Sequence, residues 1–433
     1  MSVSPAPGGV RVGRPAPAGL VACYFAAALV CWLAATAALV AARDELAAGA
    51  VWAPQVLLVV HLVALGFPPL AVTGGALHIL PTLLRTGLSR WRGSLALPLL
   101  CAGPLLAYAI AHDLEWLLWP SATAETAGFL LVGWELAALS VRAPRGRLLL
   151  ASRAGVLLST SHAAAALAFG ALLAEGEWRP LWGIPHERLI AIHLHLAVIG
   201  WLTLLLVTVG RTLGPMLALA PAEPPRRAPL EELALTGGLW LLLTGFALDA
   251  RTLEAAGGLV VMAVLVRFAA LMARVGREHR LDLPEGPLLH FLTGLFFFAQ
   301  AALLGLGMVV GVFEVTPRRL VAYVLALLVG WAAGATLGHL GKLLSLSVWA
   351  WWPPGPRPKQ AALYPRRLWF AEAAAFALGI ETAVDGVLAG SQLAVAAGGV
   401  LLIAAAAAAC AGAVLTLTAG RPALRVQAAA RAV

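Results

Sequence analysis

The chain has 433 residues, of which 61% are hydrophobic and only 12% charged, with a formal net charge of +9. A soluble domain carries about 25% charged residues on its surface, so a soluble globular protein is excluded, and a mean hydropathy of +0.89 makes lipid the solvent. The positive charge does not mark a nucleic-acid binder, because it is spread over the connections between apolar runs.

Residues 1–17, rich in Pro and Gly, read as a loose cytoplasmic tail. Apolar runs long enough to cross about 30 Å of hydrocarbon as helices then follow near 18–42, 52–82, 94–112, 119–141, 153–174, 187–218, 232–249, 255–275, 286–313, 319–350, 367–388 and 392–418. They are rich in Leu, Ala and Val and lack the two-residue alternation of barrel strands. The expected fold class is all-α: a polytopic membrane protein of about twelve transmembrane helices, forming a single transmembrane domain over 18–420 with a cytoplasmic tail at 421–433. The first run is too long for a signal-peptide core and has no small-x-small exit before Arg43.

Basic residues fall at alternate connections: Arg85, Arg90 and Arg92; Arg142, Arg145, Arg147 and Arg153; Arg226 and Arg227; Arg274, Arg277 and Arg280; Arg357, Lys359, Arg366 and Arg367. Arg11 and Arg14 before the first run, and Arg421, Arg425 and Arg431 after the last, belong to the same side. The other connections are acidic, with Asp44, Glu45, Asp113, Glu115, Glu175, Glu177, Asp249 and Glu254. By the positive-inside rule both termini are expected in the cytoplasm, with the protein integral to the cytoplasmic (inner) membrane. Cys23, Cys31, Cys101 and Cys410 all lie in predicted spans; with no C-x-x-C among them they read as small buried thiols.

Three spans share a pattern. The second contains His61 and Gly66-Phe67 and reaches Pro81; the sixth contains His195 and Gly200-Trp201 and reaches Pro215; the tenth contains Gly330-Trp331 and reaches Ser345. Each Gly-aromatic pair is followed at constant spacing by the Pro or Ser, and the pairs recur about every four helices. This predicts four-helix units at about 18–141, 153–275 and 286–418 in a pseudo-threefold arrangement.

The histidines carry the chemistry. His61 and His195 both stand five residues before a repeat glycine, at one depth on two helices, and are expected to bracket a planar macrocycle, since imidazole is a usual axial ligand of haem iron. His193 points roughly 200° away from His195 and would serve a neighbouring compartment. His339, His290 and His162 are further candidates, and His290, His339 and His78 could form a polar cluster towards the cytoplasmic side. His112, His186 and His279 read as solvated. Glu135, Glu372 and Glu381 lie inside spans, where a carboxyl either relays protons or is neutralised by a partner. Lys342 and Arg211 are expected to snorkel.

Twelve spans, a threefold repeat and His193-Leu194-His195 twenty residues before Pro215 resemble subunit I of the haem–copper oxidase superfamily, with His61 similar to the family's other low-spin haem ligand. The likeness extends to divergent relatives of the oxidase and nitric-oxide reductase superfamily, such as the NnrS family. It implies one b-type haem and room for a second on His193, with electron transfer or binding and reduction of a diatomic gas, NO or O2, as the activity, served by an electron-donor protein or partner subunit. The H-x-H stands on the sixth span where the family has it on the tenth, the adjacent histidine pair of the copper site is missing, and no tyrosine is placed beside a candidate copper ligand. Copper is therefore not implied, and an oxidoreductase activity stays open. Two other classes remain: a secondary transporter, which predicts two six-helix halves, and a cofactor-free scaffold subunit of a respiratory complex.

Overall fold

The computed structural model describes residues 16–143, 147–175, 182–221, 228–278, 286–353 and 355–422. The expected tails lie almost wholly outside them, as do Arg145, Glu177, Arg226, Arg227, His279, Arg280, Arg425 and Arg431. The described residues are all-α and contain no strand.

Among the described residues, twelve long helices make the bundle. The first four are α1 (Ala18–Ala41), α2 (Pro54–Leu83), α3 (Trp91–His112) and α4 (Glu115–Arg142). The next four are α5 (Arg153–Glu175), α6 (His186–Met216), α7 (Ala228–Leu248) and α8 (Arg251–Glu278). The last four are α9 (Leu289–Val309), α10 (Pro317–Ala350), α11 (Arg366–Ala389) and α12 (Gln392–Ala419). Eleven are long and apolar enough to cross a membrane; α11 is not among them. It carries Glu372, Glu381 and Asp385 besides two arginines, yet it runs antiparallel to α12 along its length. A Cβ on Gly386 would meet the Val395 backbone at one end, and one on Gly412 would meet Tyr364, just before α11, at the other. The expectation of about twelve spans was counted by apolar run, and α11 is the run whose carboxyls need protein neighbours.

The helix ends follow local chemistry. Pro54 and Pro317 begin α2 and α10, where a missing N–H costs nothing. Thr316 caps α10 by accepting a hydrogen bond from the Arg319 N–H at 3.3 Å. In each four-helix unit the third helix ends on a left-handed residue: Asp113 (φ 52°), Asp249 (φ 54°) and Gly390 (φ 70°). Asp and Gly tolerate that conformation better than most residues, and it turns the chain at once into the fourth helix.

The three helices of the sequence repeat are the innermost. In their most apolar windows, 83% of residues are buried in α10 and 61% in each of α2 and α6, against 50% or less elsewhere. Each is interrupted by a π-helical stretch at the same repeat position: Leu62–Gly66, Leu196–Thr203 and Leu325–Ala333. Over each repeat glycine lies a side chain from the first helix of the same unit. A Cβ on Gly66 would stand 2.8 Å from that of Cys31, one on Gly200 2.8 Å from that of His162, and one on Gly330 2.5 Å from that of Phe297. Small residues let transmembrane backbones approach closely where lipid supplies no hydrophobic drive between helices. The pseudo-threefold arrangement is thus repeated in backbone form and in packing.

Candidate functional site at the inner helices

His61 and His195 are each the last α-helical residue before a π stretch. Each ring turns back onto its own helix: His61 Nδ1 donates to the Leu57 carbonyl at 2.8 Å and His195 Nδ1 to the Ala191 carbonyl at 2.7 Å. His193 Nδ1 donates across to the Ala166 carbonyl of α5 at 2.9 Å, and its ring lies where Gly170 has no side chain: a Cβ there would be 3.0 Å from Cε1. A carbonyl can only accept, so in all three rings Nδ1 carries the proton and, in the neutral ring, Nε2 presents its lone pair. This is the tautomer a metal-binding histidine uses, with the second nitrogen held by a backbone carbonyl.

The pairing of these rings differs from expectation. His61 interacts electrostatically with His193, and among the described residues neither Nε2 has a hydrogen-bond partner. His195 Nε2 is instead 2.8 Å from the Tyr323 hydroxyl on α10, with the two rings stacked at 6.0 Å. Symmetry explains both pairs. Equivalent positions around a threefold axis point to successive neighbours and not at one another, so contacts between units are heterologous. The position five residues before a repeat glycine therefore faces the position seven before it in the next unit. His195 faces Tyr323, and the same register sets His61 towards His193. The third pair under the same rule is Leu325 with Val59, which carries no ligating atom.

Tyr323 is the residue the sequence reading missed; it neighbours His195, which was read as a haem ligand and not as a copper ligand. Its position, seven before Gly330 as His193 is seven before Gly200, was the available signal.

The remaining candidates disperse. His162 Nδ1 donates to the Gly200 carbonyl at 3.1 Å, in the π stretch of α6. His290 Nε2 is 3.3 Å from Glu372 Oε1, both side chains buried, and Tyr364 donates to Glu372 Oε2 at 2.8 Å. Burial and the adjoining Glu372 carboxylate push the Tyr364 phenol above its ordinary range. His339 donates to the Ala335 carbonyl at 2.7 Å and packs edge-on to Phe291. Among the described residues, the buried His78 Nδ1 has no hydrogen-bond partner. Among the described residues, no three His, Cys, Asp or Glu side chains converge on a metal-sized point.

The charged residues are mostly neutralised. Glu135 accepts from Arg92 at 2.7 Å and from the Ser89 N–H at 2.7 Å, and lies 3.6 Å from Arg142. Arg211 does not snorkel: its side chain is 8% exposed and paired with Glu231, which also takes Arg267 at 2.9 Å. Lys342 is likewise buried. His186, expected at a solvated loop, is buried at the start of α6. Glu125, absent from the sequence reading, is fully buried beside Gly103, which has no side chain to crowd it.

The chain matches no protein-family model and no curated protein.

Proposed function

We propose that the protein binds one b-type haem between α2 and α6, which His61 and His193 would hold, and acts in electron transfer or in binding or reducing a diatomic gas. The observation that carries this reading is the His195–Tyr323 contact, whose register around the threefold sets His61 towards His193: two imidazoles on different inner helices, each with Nδ1 tied to a carbonyl and, among the described residues, no hydrogen-bond partner at Nε2. The donor set fits the group, because neutral imidazole Nε2 is the usual haem ligand. A bound haem would supply reversible one-electron chemistry. The chain's own part is to fix both ring orientations through Leu57 and Ala166, and to keep His195 out of the site through its bond to Tyr323.

The likeness to the oxidase superfamily supports the same reading through its threefold inner helices, here without a set of copper ligands. An electron donor, a partner subunit, and residence in the cytoplasmic membrane with both termini in the cytoplasm belong to this proposal. The transporter reading has less support, since the inner helices repeat three times and not twice.

A reduced-minus-oxidised optical spectrum of the detergent-purified protein tests the proposal. It predicts a Soret and α-band of low-spin b-type haem at about one haem per chain. A colourless protein that remains so after haem reconstitution would leave the transporter or the scaffold.

A further inference from the structure

Below the π stretches, in the half of the bundle that carries the arginine-rich connections, the three inner helices do not close. A cavity of about 60 Å³ lies between them. Its walls are layers of equivalent positions, so it sits on the pseudo-threefold axis. Gly75, Val209 and His339 stand nine residues after the repeat glycines, and Ile79, Leu213 and Leu343 thirteen after. Leu343 packs over Gly75, where a Cβ would stand 2.9 Å from its Cδ1.

The polar atoms in the wall are already used. Thr336 Oγ1 donates to the Ala332 carbonyl at 2.7 Å, and His339 Nδ1 to the Ala335 carbonyl at 2.7 Å. What remains is His339 Nε2. A buried water needs two to four partners, whereas cavities lined by apolar groups stay dry and accept apolar guests.

The cavity also has a neighbour on its lipid side. A second one, of about 120 Å³, lies between α2, α4, α5 and α6 and shares Val72, Ala76 and Leu205 with the first. Its far wall includes Leu130 and Trp134, which are 59% and 56% exposed on the outside of the bundle, where lipid would lie. A neutral apolar molecule dissolved in the bilayer would therefore meet only apolar wall, Thr73 and Thr160 on its way to the axis.

We infer that the axial cavity is a binding site for a small, neutral, apolar molecule of the size of a dissolved diatomic gas, entered laterally from the membrane past Leu130 and Trp134. The site lies about 20 Å along the helix from His61, fourteen residues away at about 1.5 Å each. It does not depend on haem.

Xenon is the probe, read by exchange-detected xenon NMR on the full chain in nanodiscs, with empty nanodiscs as background. The wild type gives a saturable bound-xenon signal. Ala76→Phe, which fills the wall shared by both cavities, and Val209→Phe, which fills the axis from another helix, abolish it while the helical circular dichroism is unchanged. Leu343→Ala enlarges the space and strengthens the signal, which keeps the test valid if either filled variant fails to fold. His61→Ala leaves the signal intact, so failure of the haem reading is seen separately. A wild-type signal no greater than that of empty nanodiscs, or one equal in the wild type and every folded cavity variant, overturns the inference.

Discussion

At the scale of single residues, the two histidines of the H-x-H motif have different tasks because helix geometry aims them apart. His193 reaches the Ala166 carbonyl on α5, and His195 reaches Tyr323. Replacing Tyr323 by Phe frees His195 Nε2 but leaves His193 and its carbonyl bond in place, so the low-spin haem content of Tyr323→Phe is expected to equal that of the wild type. A loss of more than half, read from the pyridine haemochrome, would tie Tyr323 to the site itself. The His290–Glu372–Tyr364 chain is a stability element on the present geometry. Breaking a buried pair strands the remaining polar group and costs about 3–5 kcal/mol, so Glu372→Leu is expected to lower the thermal midpoint in detergent by several degrees, and Glu372→Gln by less. Equal midpoints for all three proteins would deny the pair a structural role. The depths of these residues were legible from the sequence. Their partners were not, because equal depth in a threefold molecule does not mean contact.

At the scale of elements, the π stretches govern where each ring points. The Gly-aromatic pairs that mark them were visible as a repeat, but nothing in an apolar run of Leu, Ala and Val distinguishes a π turn from an α turn, since both bury the same side chains. π-helical turns occur mostly as local insertions and frequently at functional sites. Here they begin directly after His61 and His195 and enclose all three repeat glycines. Deleting Ile199 would tighten the stretch Leu196–Thr203 towards an α-helix and rotate everything N-terminal to it by about 100°, one residue's turn. His193 would then leave both His61 and Ala166. The deletion variant is expected to retain its helical circular dichroism and to lose the low-spin spectrum. Retention of that spectrum would show that the π geometry does not set the ligand. Gly200→Leu offers a milder probe, because its side chain must displace His162.

At the scale of the whole molecule, composition decided that the chain spans a membrane, and the recurrence of one motif decided the threefold plan. The count of spans was nearly legible. The run at 367–388 was read as a span like the others; what the apolar count did not see is that its Glu372 is held by His290 and Tyr364. Orientation still rests on the arginine distribution. Water-soluble maleimide applied to intact cells is expected to label Asp113→Cys, in the tight turn between α3 and α4, and to leave Thr86→Cys, between α2 and α3, unlabelled until the membrane is opened. The reverse pattern would invert the molecule in the bilayer without altering its fold.

The heterologous pairing around the axis is the claim on which the functional reading turns, and one measurement addresses it directly. Low-temperature electron paramagnetic resonance of the oxidised protein is to be compared among the wild type, His61→Ala, His193→Ala and His195→Ala. The expected result is a bis-imidazole low-spin ferric signal in the wild type and in His195→Ala, and its loss in each of the other two. A signal that disappears in His195→Ala and survives in His193→Ala would contradict the account.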